Sequence, residues 1–344
     1  MNLFELIRAL IDIESITNNE RNVERFLYDY LSALAARFSG AIERMEAEPE
    51  RFNIFVHWGP PVVTLSTHMD TVPPFVASKE DDQFIWGRGA CDAKGIIGTM
   101  IFAAHKLLED RVRNFGLLFL VGEERNSTGA KAASQSPRGC RYLINGEPTE
   151  NQLALASKGA LRLEVIAHGK MAHSAYPDLG DSAIDRLLDV LHDIRRIPLP
   201  EDPLLGRCTL NIGTISGGRA PNVVADSAQA EIMFRLVGDP GPLRQSVAAA
   251  AAGRANASEI LCTPAMHFER FDGIPTTVVS YTTDIPVLAG AWGKPFLLGP
   301  GSIHVAHTSE ERVPKLQLEQ AVEIYSTMVR DLLAGEARKP ENVS

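Results

Sequence analysis

The chain has 344 residues, 45% of them hydrophobic and 22% charged, with a formal net charge of −9 at pH 7. That acidity argues against nucleic acid or anionic membrane as a partner, and no stretch approaches the roughly 20 apolar residues of a membrane span. The length exceeds what one hydrophobic core usually organises, so two domains are expected.

The N-terminus places Glu5 early and has no basic segment, so it is not read as a secretory signal. Cys91, Cys140, Cys208 and Cys262 are scattered and form no close pair, which suits reduced thiols in a cytoplasmic protein. Leu3, Leu6, Ile7 and Leu10, then Val23, Phe26, Leu27, Tyr30, Leu31 and Leu34, recur at helical spacing and predict helix to about residue 38. Strands are expected at 53–57 and 62–65, and a strongly apolar helix at 95–108. The runs 116–121 and 142–145 read as strands buried on both faces, and the alternation implies an α/β sandwich.

After Lys158-Gly159 the pattern changes. Residues 161–168 alternate apolar and polar, 182–197 is an amphipathic helix, and strands at 209–215 and 228–236 are joined through Gly217-Gly218. A helix at 242–252 and a strand at 259–262 complete a β-α-β-β-α-β order, that of a ferredoxin-like unit. The expected organisation is a catalytic domain of residues 1–159 and 263–344 with a domain of residues 160–262 inserted into it. A final helix spans 316–333, and the charged tail after Ala334 is expected to fray.

Five clusters of metal-ligand type fall where apolar runs give way to loops, the place where open α/β sheets build sites. They are His68-x-Asp70, Asp92 in the Gly87–Gly95 stretch, Glu123-Glu124, Glu147 and the segment from Gly299 to His307. Carboxylates and imidazoles in this mixture suit zinc, with cobalt or manganese as alternatives. Residues two apart on a strand share a face, so Asp70 can support His68. Adjacent residues at a strand end point apart, so one of Glu123 and Glu124 can bind metal while the other faces the substrate.

The stretches Thr67–Pro73, Gly87-Arg88-Gly89 with Asp92-Ala93-Lys94-Gly95, Glu123-Glu124 with Gly129-Ala130, Glu147-Pro148-Thr149, Ala172–Ala175 and Gly299-Pro300-Gly301 with Ala306-His307 appear in order over nearly the whole chain. Together they resemble the M20 family of dinuclear zinc aminoacylases and peptidases, closest to its acetylornithine deacetylase and succinyl-diaminopimelate desuccinylase branch. The resemblance implies a zinc-peptidase-like α/β/α sandwich with an inserted ferredoxin-like α+β dimerisation domain. It implies two Zn²⁺ ions, with Asp92 between them, His68 and Glu147 on one, and Glu124 and His307 on the other. Glu123 is then the general base, Asp70 orients His68, and His173 reaches a partner subunit's site to stabilise the oxyanion. Arg235 and Asn222 become substrate-binding residues, and the Asp92–Ala93 peptide is implied to be cis.

The activity so implied is hydrolysis of the amide bond of N-acyl amino acids, acetylornithine-like substrates first, in amino-acid biosynthesis. Dipeptidase or carboxypeptidase action, desuccinylation and release of an amino acid from a carrier protein are the alternatives within the family. A catalytically dead binding homologue is the non-enzyme alternative, opposed by the presence of Glu123, Asp70 and every ligand position. The partners implied are a small N-acyl amino acid or short peptide and a second copy of the chain.

His57, His105, His168, His192 and His267 are read as structural, and His307 is preferred to His304 because it follows Ala306. Asp284 is open between substrate contact and helix capping. Arg219, Pro221, Val224-Ala225 and Met233-Phe234 depart from the family pattern around Asn222 and Arg235. Those departures bear on substrate choice rather than on the chemistry.

Overall fold

The computed structural model describes residues 1–337 and divides into two compact units. The first comprises Met1–Leu155, Phe268–Thr277 and the chain from Thr283 onward; the second comprises Ala156–His267 and Val278–Thr282. The charged tail expected to fray lies largely beyond the described residues, since helix continues to Ala337.

The principal strands in chain order are β1 (Ala41–Glu48), β2 (Arg51–Trp58), β3 (Val63–His68), β4 (Phe115–Leu120), β5 (Tyr142–Asn145) and β6 (Leu153–Ser157). They continue with β7 (Gly159–His168), β8 (Thr209–Gly217), β9 (Ser227–Leu236), β10 (Asn256–Thr263) and β11 (Lys294–Leu297). The helices are α1 (Leu3–Ile11), α2 (Arg21–Arg37), α3 (Lys94–Glu109), α4 (Thr128–Ser134), α5 (Ala183–Ile194), α6 (Gly241–Ala251), α7 (Ile285–Trp292) and α8 (Lys315–Ala337). The single N-terminal helix suggested by periodicity is two helices. Ser15, Thr17 and Asn19 between them form turns and side-chain hydrogen bonds that compete with helix.

In the first unit the sheet order is β1-β2-β4-β3-β5-β11-β6. β4, β3, β5 and β11 run parallel, while β1, β2 and β6 join antiparallel. The period of two sorts the side chains. Ile54, Val56, Leu65, Leu117, Phe119 and Ile144 pack into one core with α1, α2, α3 and α8. Phe55, Leu118, Leu120 and Leu143 point to the other face, where α4 and α7 supply Ala130, Leu288 and Trp292. Three layers result, as expected of α/β/α, and the parallel strands end at His68, Leu120 and Asn145 on one edge.

The second unit is a four-stranded antiparallel sheet of order β8-β9-β7-β10, the arrangement of a ferredoxin-like unit. Leu161, Leu163 and Val165 of β7 and Ala230, Ile232 and Phe234 of β9 face α5 and α6 through Leu187, Leu191, Leu243 and Val247. The expected Gly217-Gly218 hairpin is instead a longer connection from Gly218 to Asp226, braced by an Arg219–Asp226 ion pair. That pair gives Arg219 a local partner in its own loop.

Candidate metal centre

The three central parallel strands deliver the first candidate ligands. His68 is the last residue of β3, and Glu123-Glu124 follow β4 after one turn. Glu147 follows β5 by two residues. Gly122 makes the turn at φ +76°, backbone that favours glycine. A side chain at Gly129 would meet Asn53 Oδ1 at 2.4 Å and the Val121 carbonyl at 2.5 Å, so the β4–α4 turn closes only around glycine. Asn53 completes that turn, accepting from the Val121 N–H and donating to the Gly129 carbonyl.

Asp92 stands between the two histidines. Its Oδ1 lies 2.9 Å from His68 Nε2 and its Oδ2 lies 3.3 Å from His307 Nε2. His307 Nε2 is also 2.9 Å from Glu124 Oε1. Potential ligand atoms of His68, Asp92 and Glu124 fall within 4.8 Å of one another. Glu147 is buried, and its Oε1 has no hydrogen-bond partner. The Asp92–Ala93 peptide is cis. His307 has left-handed backbone at φ 65°, uncommon outside glycine. His304 is exposed and makes no hydrogen bond to the cluster.

The electrostatics follow from crowding. Burial, then Asp92, pushes the Glu147 carboxyl well above the ordinary range against the pull of His68. Desolvation does the same to Glu123, where Glu147, Asp284 and Glu124 add repulsion. Asp92 goes the other way. Burial would raise it, but hydrogen bonds from His307 and His68 hold it below the usual carboxylate range. His307 in turn is pushed up to about 10 by Asp92 and Glu124. An anionic cluster with one orphaned buried oxygen and two imidazoles on opposite sides of a carboxylate fits a pair of divalent cations.

Asp70 does more than its spacing suggested. His68 Nδ1 is 3.0 Å from the Asp70 carbonyl oxygen and 3.5 Å from its carboxylate. The carboxylate itself accepts from the Glu123 N–H, the Glu124 N–H and the Thr17 hydroxyl. Asp70 therefore fixes the Glu123-Glu124 turn as well as the imidazole.

Sequence reasoning missed Thr17, and it missed Glu311. Glu311 is buried, pairs with Arg88, and accepts from N–H groups of the Asp92 loop. Asp284 precedes α7 but makes no capping hydrogen bond. Its Oδ1 is unpartnered, and burial pushes its carboxyl to about 6.

The remaining expected site residues lie in the second unit. His173 forms a bridge with Val223, and the Ser174 N–H donates to the Asn222 carbonyl, so His173 and Asn222 share one exposed loop cluster. Arg235 lies at the other end of the same sheet, opposite Ala160 and Thr209. It is half-buried with no ion-pair partner among the described residues, and burial lowers its pKa.

The profile of peptidase family M20/M25/M40 matches residues 64–331. A peptidase M20 domain-containing protein of Schizosaccharomyces pombe is 37% identical over 338 residues, covering 95% of this chain and 84% of its own length. A probable carboxypeptidase of Aspergillus terreus is 36% identical, covering 94% of this chain and 84% of its own length. The crystal structure of a tripeptidase from Staphylococcus aureus shares the fold at a TM-score of 0.80 and 21% identity, covering 96% of this chain and 97% of that one. Among the described residues no helix is long and apolar enough to cross a membrane. The chain belongs to peptidase family M20/M25/M40 and is a metallohydrolase acting on peptide-type bonds.

Proposed function

We propose that the protein hydrolyses the amide bond of N-acyl amino acids, acetylornithine-like substrates first, at a two-metal centre. His68 and Glu147 would hold one ion, Glu124 and His307 the other, and Asp92 both. Zinc suits this donor set, and cobalt or manganese would be accepted by the same groups. The observation that carries the reading is Asp92 lying between His68 and His307 with one carboxylate oxygen toward each. When bound, the metals would acidify the attacking water and polarise the scissile carbonyl. Glu123 accepts the proton from that water and passes it to the departing amine. Asp70 holds Glu123 through its main-chain N–H.

A carboxypeptidase or dipeptidase reading is supported equally, the first by relatives named probable carboxypeptidases. The two share a leaving group, an amino acid with a free α-carboxylate, for which the unpaired guanidinium of Arg235 is a suitable fork. An assay panel of N-acetyl, N-succinyl and dipeptide substrates with added zinc or cobalt separates them. Turnover confined to the dipeptides would refute the deacylase reading.

Metal loading is expected to release protons. Asp92 and Glu124 push His307 up to about 10, so its imidazole carries a proton at neutral pH and that proton must leave as metal enters. Apparent affinity is therefore expected to rise with pH up to about 10, where His307 loses its proton unaided. Calorimetry in buffers of different ionisation enthalpy measures the release directly, and an affinity that falls with pH would count against this ligand set.

His173 and Asn222 are proposed to serve the site of a second copy. Arg235 lies eight positions along β9 from Ser227, which is at their end of the sheet, about 27 Å at a strand's rise. A small amino-acid substrate cannot span that, so residues at the two ends meet one substrate only if two chains contribute. A two-fold dimer built on residues 160–262 would supply them. Mixing His173→Ala chains with Glu123→Ala chains is expected to restore about a quarter of wild-type activity by random pairing in such a dimer. No rescue once subunit exchange is demonstrated would leave His173 a local residue.

A further inference from the structure

We infer that Glu311 is a positioning residue that sets the Asp92 carboxylate between His68 and His307, an inference that rests on reading these residues as metal ligands. Its Oε1 accepts from the N–H groups of Gly89 at 2.9 Å, Cys91 at 3.2 Å and Asp92 at 3.2 Å. Three donors converge on one oxygen in the turn that leads into α3. Its Oε2 pairs with Arg88, and the two side chains are each 2% exposed, so the negative charge is balanced inside the protein. The main chain repeats the link, for the Gly87 N–H donates to the Glu311 carbonyl. Beyond it, residues Arg312–Pro314 pair antiparallel with Phe84–Trp86.

The same residue is tied to the second ligand loop, because Glu311 follows His307 by four positions. Glu311 thus joins the segment that carries Asp92 to the segment that carries His307, across a sequence separation of 222 between Gly89 and Glu311. A bridging carboxylate must be held within about 0.5 Å of its working position. Asp92 has a short side chain, so that precision has to come from its backbone. Groups that orient metal ligands from behind typically change metal affinity by about 10- to 100-fold when altered.

A buried ion pair could also be purely structural, and two variants separate the roles. Glu311→Asp keeps the charge beside Arg88 but is one methylene too short to satisfy both Arg88 and the turn. Arg88→Met combined with Glu311→Gln discards the ion pair but keeps a full-length acceptor for the N–H groups. The probe is Co²⁺, followed by calorimetry and by its visible absorption spectrum.

Glu311→Asp is expected to bind Co²⁺ about 10- to 100-fold more weakly with an altered spectrum. The double variant is expected to keep wild-type affinity and spectrum whatever its melting temperature. Should Glu311→Asp unfold, the charge-neutral pair Arg88→Met with Glu311→Leu, which has no acceptor, takes its place in the comparison. Wild-type binding by the acceptor-deficient variant, or loss of binding by the double variant, would overturn the inference. Failure of the wild-type protein to bind Co²⁺ would instead remove the ligand reading on which it stands.

Discussion

Glu123→Ala is expected to retain its metals and lose turnover by a factor on the order of 10² to 10⁴, the usual contribution of one general base. The neighbouring Glu124→Ala is expected to behave differently. It removes a carboxylate oxygen 2.9 Å from His307 Nε2, so one metal weakens first and activity follows the metal concentration. The two residues differ in their surroundings. Both main-chain N–H groups are held by Asp70, which fixes the turn. Only Glu124 touches His307. Desolvation raises the Glu123 carboxyl well above the ordinary range, which suits a group that must accept a proton and release it again. Bound cations nearby would lower it and favour the carboxylate form that accepts the proton. Single-turnover rates and metal analysis on both variants check the assignment, and exchanged behaviour would mean that the pair has been assigned in reverse.

Asp92→Ala is expected to have the largest effect of any single ligand, because it alone faces both histidines. On the proposed assignment, losing it would remove ligands from two ions at once, whereas His68→Ala or His307→Ala would remove one ligand from one ion. Metal-derived charge stabilisation is worth several kcal/mol, and about 4 kcal/mol is roughly 10³-fold in rate. The Asp92 variant is expected to fall at least that far and not to recover in excess zinc, while the two histidine variants recover in part. Rates measured across a zinc titration decide the matter. Recovery of Asp92→Ala to the level of His307→Ala would show that its carboxylate serves a single ion.

Much of the candidate site was legible because its residues follow the most recognisable strands. The run Tyr142–Asn145 is short, wholly apolar up to Asn145 and followed by Gly146-Glu147, and it forms a parallel strand at those residues. The strand Ala41–Glu48 was not legible. Its sequence, with two alanines, three glutamates and a methionine, favours helix, and only pairing with Arg51–Trp58 makes it extended. As an edge strand rich in charge it also resists further pairing. The helix Thr128–Ser134 is too short to show a period, and Ile285–Trp292 is apolar without a polar face. Thr17 and Glu311 escaped for another reason. They act through hydrogen bonds to Asp70 and to main-chain N–H groups far away in sequence, which leave no local pattern. Asn222 and Arg235 were recognisable by resemblance, but that they occupy opposite ends of one sheet appears only in the strand register.

The central claim is that one carboxylate, Asp92, holds two metal ions. An anomalous difference map from crystals grown with zinc, recorded above and below the zinc absorption edge, tests it most directly. Two peaks are expected on either side of Asp92, one against His68 and Glu147 and the other against Glu124 and His307. A single peak in fully active crystals, or a second ion that Asp92 does not touch, would contradict the account.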